Sequence, residues 1–126
     1  MVSSKKLKAK YVDGFLIVVP KKNIPAYKKI SQFATKIWMK YGALDYYECM
    51  SDDVNIKFGL PFPKLANAKK NETVVFSYIT YKSKSQRDSI NKKVMNDPKM
   101  AEMSNIKMPF DVNKMSYGGF KVFVSE

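Results

Sequence analysis

The chain has 126 residues, 45% of them hydrophobic, which fits one domain with a packed core. It carries a formal net charge of +12 and contains one cysteine and no histidine. These absences exclude Ser-His-Asp and Cys-His catalysis, histidine-bearing zinc sites, haem on a proximal histidine, an intramolecular disulfide and a thiolate zinc cluster.

Residues 1–10, with "KKLKAK", read as a basic leader without expected structure, and 11–126 as a single domain. Lysines ahead of an apolar stretch resemble a signal peptide, but Asp13 and Gly14 interrupt it and its composition suits a strand. No apolar run approaches the roughly 20 residues of a membrane span, so a cytoplasmic protein is expected, with no membrane contact.

"YVDGFLIVVP" is the first predicted strand, ended by Pro20. A helix follows over 23–42, with Pro25 near its start and Gly42 at its end. Its apolar stripe runs through Ala26, Ile30, Phe33, Ala34, Ile37 and Tyr41, and Trp38 at the edge reaches toward a cleft or an interface. "ALDYYECMS" is the second strand, where Cys49 packs as a small apolar residue.

The next connection is about twenty residues long, beyond ordinary loops, so it should carry a short helix or fold over a site. Its "SDDVN" reads as a polar turn rather than a cation site. "TVVFSYITYK" is the third strand. "SKSQRDSINKKVMND" is the second helix, with Ser83 and Gln86 spaced as a capping box. "DPKMAEM" adds one further turn capped by Asp97, and "MSYGGFKVFVS" is the final strand.

The order β-α-β-β-α-β predicts an α+β, ferredoxin-like fold: one antiparallel sheet with two helices on one face. The strands are apolar on both sides. In the third, Val74, Phe76 and Tyr78 oppose Val75, Ile79 and Tyr81. Two helices cover only one side, so a second copy packed sheet to sheet is the expected cover, giving a homodimer.

RNA-recognition domains share this order and stack bases on sheet aromatics. Their octapeptide does not fit here. With Gly119 and Phe120 aligned on it, Gly118 stands where a basic residue belongs, Lys121 replaces a small residue and Val122 a Phe. The glycine pair instead marks a bulge or a close approach by a side chain or ligand.

Taken together, "YVDGF", "GALDYYEC…DD", "ETVVFSYITYKSKSQRDSINKKVMNDP", "MPFD" and "MSYGGFKV" resemble the YbaA-like bacterial domains of unknown function, in the dimeric α/β-barrel superfamily. The likeness runs over nearly all of residues 11–125. It implies a ferredoxin-like fold that dimerises through its sheet, and it implies no activity. Superfamily relatives range from cofactor-free monooxygenases and small isomerases to haem-degrading enzymes and ligand-sensing domains.

Pockets in such folds lie between helices and sheet. Arg87 and Asn91 share a helical face with Ile90 and Val94, where a purely structural helix would carry aliphatics. Arg87 is suited to hold a carboxylate or phosphate, or to pair internally with Glu48 or Asp13; Asn91 is suited to orient a carbonyl. Asp13 and Glu48, in apolar strands, are the candidate catalytic bases. Trp38, Tyr46, Tyr78 and Tyr117 are expected to line the pocket beside Arg87 and Asn91.

The expected function is a homodimer binding a small hydrophobic molecule, with a cofactor-independent oxygenase or isomerase as its enzymatic form; no cofactor and no metal are expected. The alternatives are charge-driven nucleic-acid binding, disfavoured by the failed motif and scattered lysines, or a structural or regulatory dimer without catalysis.

Overall fold

In the computed structural model, which describes residues 8–126, the sequence folds as one four-stranded antiparallel sheet with helices, an α+β arrangement. Residues 1–7, most of the basic leader, lie outside the described residues. Lys10, read as the leader's end, already belongs to the ladder: its N–H donates to Tyr81 O and its carbonyl accepts from Val122 N, both at 3.0 Å.

The elements in chain order are β1 (Tyr11–Pro20), α1 (Ile24–Lys40), β2 (Asp45–Met50), α2 (Phe62–Leu65), β3 (Glu72–Tyr81), α3 (Lys84–Met95), α4 (Pro98–Ser104) and β4 (Ser116–Lys121). The strands lie in the order β2-β3-β1-β4. Central β1 and β3 pair along their full ten-residue lengths, from Tyr11 opposite Tyr81 to Pro20 opposite Glu72. No helix among the described residues is long and apolar enough to cross a membrane.

Local chemistry explains the boundaries. Gly42 stands just past α1 at φ +110°, a conformation costly for any residue with a Cβ. The Ser83 hydroxyl accepts the Gln86 N–H at 3.1 Å and caps α3. Ser83→Ala should cost about 1 kcal/mol of folding stability, measured by urea denaturation. Asp97 caps α4 by accepting from Lys99 N at 2.8 Å, and it also accepts the Tyr41 hydroxyl at 2.6 Å. That second bond ties α1 to α4, a two-turn helix rather than the single turn expected.

The core lies between the sheet and one layer of helices. Ile37 of α1 and Ile90 and Val94 of α3 pack on Ile79 and Tyr81 of β3. The buried stripe of α1 is rotated from the one expected. Tyr27, Ser31, Ala34 and Ile37 are buried, whereas Ala26 is exposed. Two hydroxyl-bearing residues on that stripe are what a pure apolar count overlooks.

The opposite face of the sheet carries Val12, Leu16, Tyr47, Cys49, Phe76, Tyr78 and Phe120, as the strand register requires. Tyr47 and Tyr78 pack with ring centroids 5.3 Å apart, and Phe76 and Tyr78 at 5.6 Å. Phe76, Tyr47 and Phe120 remain 46%, 50% and 64% exposed. Cys49, expected to pack as a small apolar residue, is exposed on this face opposite Phe76.

Candidate functional site

Odd-numbered residues of β1 and β3 and even-numbered residues of β2 point toward the helices. This parity brings Asp13, Ser77 and Glu48 from three strands onto the helix-covered face. Between them and α1, α3 and α4 lies a cavity of about 500 Å³. Asp13, Glu48, Arg87 and Asn91 line it, as do Trp38, Tyr46 and Tyr117.

Tyr78 does not. It sits on the opposite face, among Tyr47 and Phe76, because it is one residue out of phase with Ser77 and Ile79. The long connection after β2 also plays a different part from a cover. Its α2 packs against β3, and none of its residues lines the cavity. The segment before β4 forms part of the cavity's wall instead, through Met108, Phe110 and Met115. Asn23 Nδ2 donates to Pro109 O at 3.0 Å and holds that segment to the start of α1.

Two polar clusters stand in this apolar chamber. The first is built on Arg87, whose guanidinium is already engaged. Nη1 faces Asp13 Oδ1 at 3.8 Å, Nη2 donates to the Tyr11 hydroxyl at 3.0 Å, and Nε lies 3.2 Å from Asp88 Oδ1 without hydrogen-bond alignment. The group also stacks over the Tyr11 ring, 4.9 Å from its centroid. Asp13 is 7% exposed, and burial pushes its carboxyl above the ordinary range while Arg87 pulls it back. Arg87 therefore faces an internal carboxylate, the pairing with Asp13 that the sequence offered beside a ligand's carboxylate or phosphate.

Asn91 is left with a free function. Trp38 Nε1, which can only donate, bonds to Asn91 Oδ1 at 3.2 Å. The amide nitrogen Nδ2 makes no hydrogen bond among the described residues, so both its N–H groups are available to an acceptor in the cavity.

The second cluster surrounds Glu48. Tyr27 donates its hydroxyl to Glu48 Oε1 at 2.6 Å. Burial raises the Glu48 carboxyl above its usual value, while the hydroxyls of Tyr27, Tyr46, Ser77 and Ser31 draw it back down. No lysine or arginine pairs with Glu48 among the described residues. A second cavity of about 400 Å³ shares Tyr27, Ser31 and Glu48 with the first, so this carboxyl stands in the wall between them.

Asp13 and Glu48 lie on β1 and β2 with β3 between them, opposite Ile79 and Ser77. Two inter-strand spacings and a two-residue offset along β3 put their Cα atoms about 12 Å apart. Of the two, Glu48 is the carboxyl not committed to an internal cation. Among the described residues, no three acidic or cysteine side chains converge as a metal site.

The raised Glu48 value has a consequence for stability. Between the ordinary value of 4.5 and the higher folded one, the folded chain holds a proton that the unfolded chain has lost. Stability from this group is thus greatest at low pH and falls as pH rises through the folded value. Urea unfolding of wild type and Glu48→Gln from about pH 4 to pH 8 should show wild type losing ground to the variant as pH rises. A difference that does not change with pH would contradict this.

Tyr27, Ser31 and Ser77, which complete the Glu48 cluster, were not among the expected site residues. Their signal was a tyrosine and a serine four apart on the helix face that also carries Trp38, and a serine amid the most β-prone strand.

The fold and its cleft define an α+β protein with an open four-stranded antiparallel sheet and a mostly apolar chamber under its helices. The chain belongs to the family described as "Protein of unknown function (DUF1428)", whose profile matches residues 10–112. It is 42% identical over 117 residues to "Uncharacterized protein YbaA" of Escherichia coli K12, covering 93% of this chain and 99% of that protein. The YbaA proteins of Escherichia coli O157:H7 and Shigella flexneri match to the same 42% over 117 residues, with the same coverage.

Proposed function

We propose that this chain is a small-molecule-binding protein that works as a homodimer, with its ligand in the chamber between the helices and the sheet. The observation that carries the reading is the 500 Å³ cavity, a size typical of ligand sites, whose apolar walls hold a few convergent polar groups. Glu48 and Asn91 Nδ2 are the polar contacts offered to the ligand. A cofactor-independent reaction there would use Glu48 as proton acceptor and Asn91 Nδ2 as donor to the oxygen that gains charge.

Strand order β2-β3-β1-β4 with α1 and α3 on one face supports the ferredoxin-like description. The half-exposed Tyr47, Phe76 and Phe120 support pairing of two such sheets face to face, as in a dimeric α/β barrel, since soluble monomers rarely present a patch of this kind. The exposed lone thiol Cys49 fits a reducing, cytoplasmic setting. Charge-driven nucleic-acid binding has no comparable observation in its favour, because lysines stand on every helix and in the loops.

Native mass spectrometry of gently purified protein tests both parts. The expected result is a dimer carrying a small-molecule mass. A monomer would remove the sheet-to-sheet pairing. A bare dimer that also takes up no small apolar probe would remove the ligand chamber.

A further inference from the structure

We propose that the chamber selects a lipophilic organic cation, such as an alkylated or protonated amine, with Glu48 as its counter-ion and the surrounding aromatic rings as its walls. This rests on the chamber being a ligand site and specifies the charge of the ligand.

The charge balance of the walls is the first support. Although the whole chain carries +12, the charged residues lining the chamber are Asp13, Glu48 and Arg87. Arg87 is engaged by Asp13 and Asp88, so no cation there is left for an anionic ligand. Glu48 is the carboxylate without a cationic partner, held only by hydroxyls. A half-buried carboxylate that lacks a counter-ion, as Glu48 is, gains from a ligand that supplies one.

The walls are the second support. Three aromatic pairs line the same chamber. Trp38 and Tyr46 meet edge to face at 5.9 Å, Tyr27 and Phe110 at 5.7 Å, and Phe15 and Tyr117 stack at 5.8 Å. Aromatic faces attract organic cations through their quadrupoles, most strongly where water is excluded. Methionine thioethers, polarisable and unbranched, complete the wall and adapt to the shape of an apolar cation. The field of the distant lysines is screened beyond a Debye length of about 8 Å at physiological salt.

Trp38 is the chain's only tryptophan, so its fluorescence reports occupancy directly. The probes are benzyltrimethylammonium, its uncharged carbon isostere neopentylbenzene, and 4-phenylbutanoate as an anion. Wild type should bind the cation at least tenfold more tightly than the isostere and leave the anion unbound. In Glu48→Gln that preference should shrink to within about threefold, as expected when a single desolvated ion pair is removed.

A second measurement does not depend on the variant folding. The wild-type affinity for the cation should rise as pH climbs through the Glu48 titration, while the isostere's affinity stays level. The groups facing Glu48 are Tyr27 and Ser31 from α1, Tyr46 from β2 and Ser77 from β3, with Lys28 lining the second cavity. The tyrosines Tyr27 and Tyr46 are held protonated by burial and do not titrate in that window.

If the isostere binds as tightly as the cation, the charge preference is wrong and the ligand chamber stands. If the cation is preferred equally in Glu48→Gln, the assignment to Glu48 is wrong. If the anion binds best, Arg87 is free after all and the proposal fails. If no probe changes Trp38 emission, both the cation preference and the chamber reading fail.

Discussion

Replacing Arg87 by methionine is expected to lower folding stability by about 2 to 3 kcal/mol, and adding Asp13→Asn should recover most of that loss. Methionine keeps much of the apolar stem and removes the guanidinium that stacks over Tyr11. Asp13 is then a buried carboxylate with no cation, beside the buried Tyr81 hydroxyl. Breaking a fully buried pair by removing one partner costs about 3 to 5 kcal/mol. The lower figure applies here because the Arg87 side chain is 22% exposed and stands 3.8 Å from Asp13. Chemical denaturation of the two single variants and the double variant gives the coupling. If Arg87→Met costs as much in the Asp13→Asn background as alone, the ion pair is not what holds Arg87 in place.

Gly119→Ala is expected to cost about 2 kcal/mol, while Gly118→Ala changes stability by no more than about 0.5 kcal/mol. The two glycines are adjacent on β4 and point to opposite faces. A Cβ on Gly119 would stand 2.8 Å from Tyr11 Cε2 and 2.9 Å from Cζ, whereas one on Gly118 meets nothing within 4 Å. The Tyr11 ring has to lean over Gly119 because its hydroxyl receives the Arg87 Nη2 hydrogen bond from the helix layer. Pushing the ring aside breaks both that bond and the stacking of the guanidinium. Tyr11→Leu in the Gly119→Ala background should regain part of the loss by removing the collision. Equal effects at the two glycines would mean that strand propensity, not close approach, selects them.

The glycine pair shows how far the sequence reaches. It left a bulge and a close approach as alternatives. The β1–β4 register runs without a slip from Tyr11 opposite Lys121 to Leu16 opposite Ser116, so no bulge is present and Tyr11 is the group that approaches. Nothing in local sequence separates the two, because a bulge is local geometry while the approach comes from a residue more than a hundred positions away.

The candidate site was legible for a related reason, and to a related limit. Arg87 and Asn91 stand out because polar residues on the inner face of a helix are costly unless they have partners, and Asp13 and Glu48 stand out in apolar strands in the same way. Trp38, Tyr46 and Tyr117 were placed by the same logic of apolar strands and a helix edge. The cost is visible in sequence; the partner that offsets it is not. Which carboxylate Arg87 takes is decided by how α3 packs on the sheet, which brings it to Asp13 of β1 and not to Glu48 of β2.

The sequence by itself determined the α+β class, the family, the four strands and the two long helices. Each of these follows from short-range signals: Pro and Gly punctuation, the Ser83 cap, apolar periods of 2 and 3.6, and contiguous matching blocks. Only the tertiary structure decided which face of the sheet the helices cover, and with it that Tyr78 lies outside the chamber while Tyr27, Ser31 and Ser77 complete it. Alternation separates the two faces of a strand but cannot rank them when both are apolar. That choice is made by packing between elements distant in the chain.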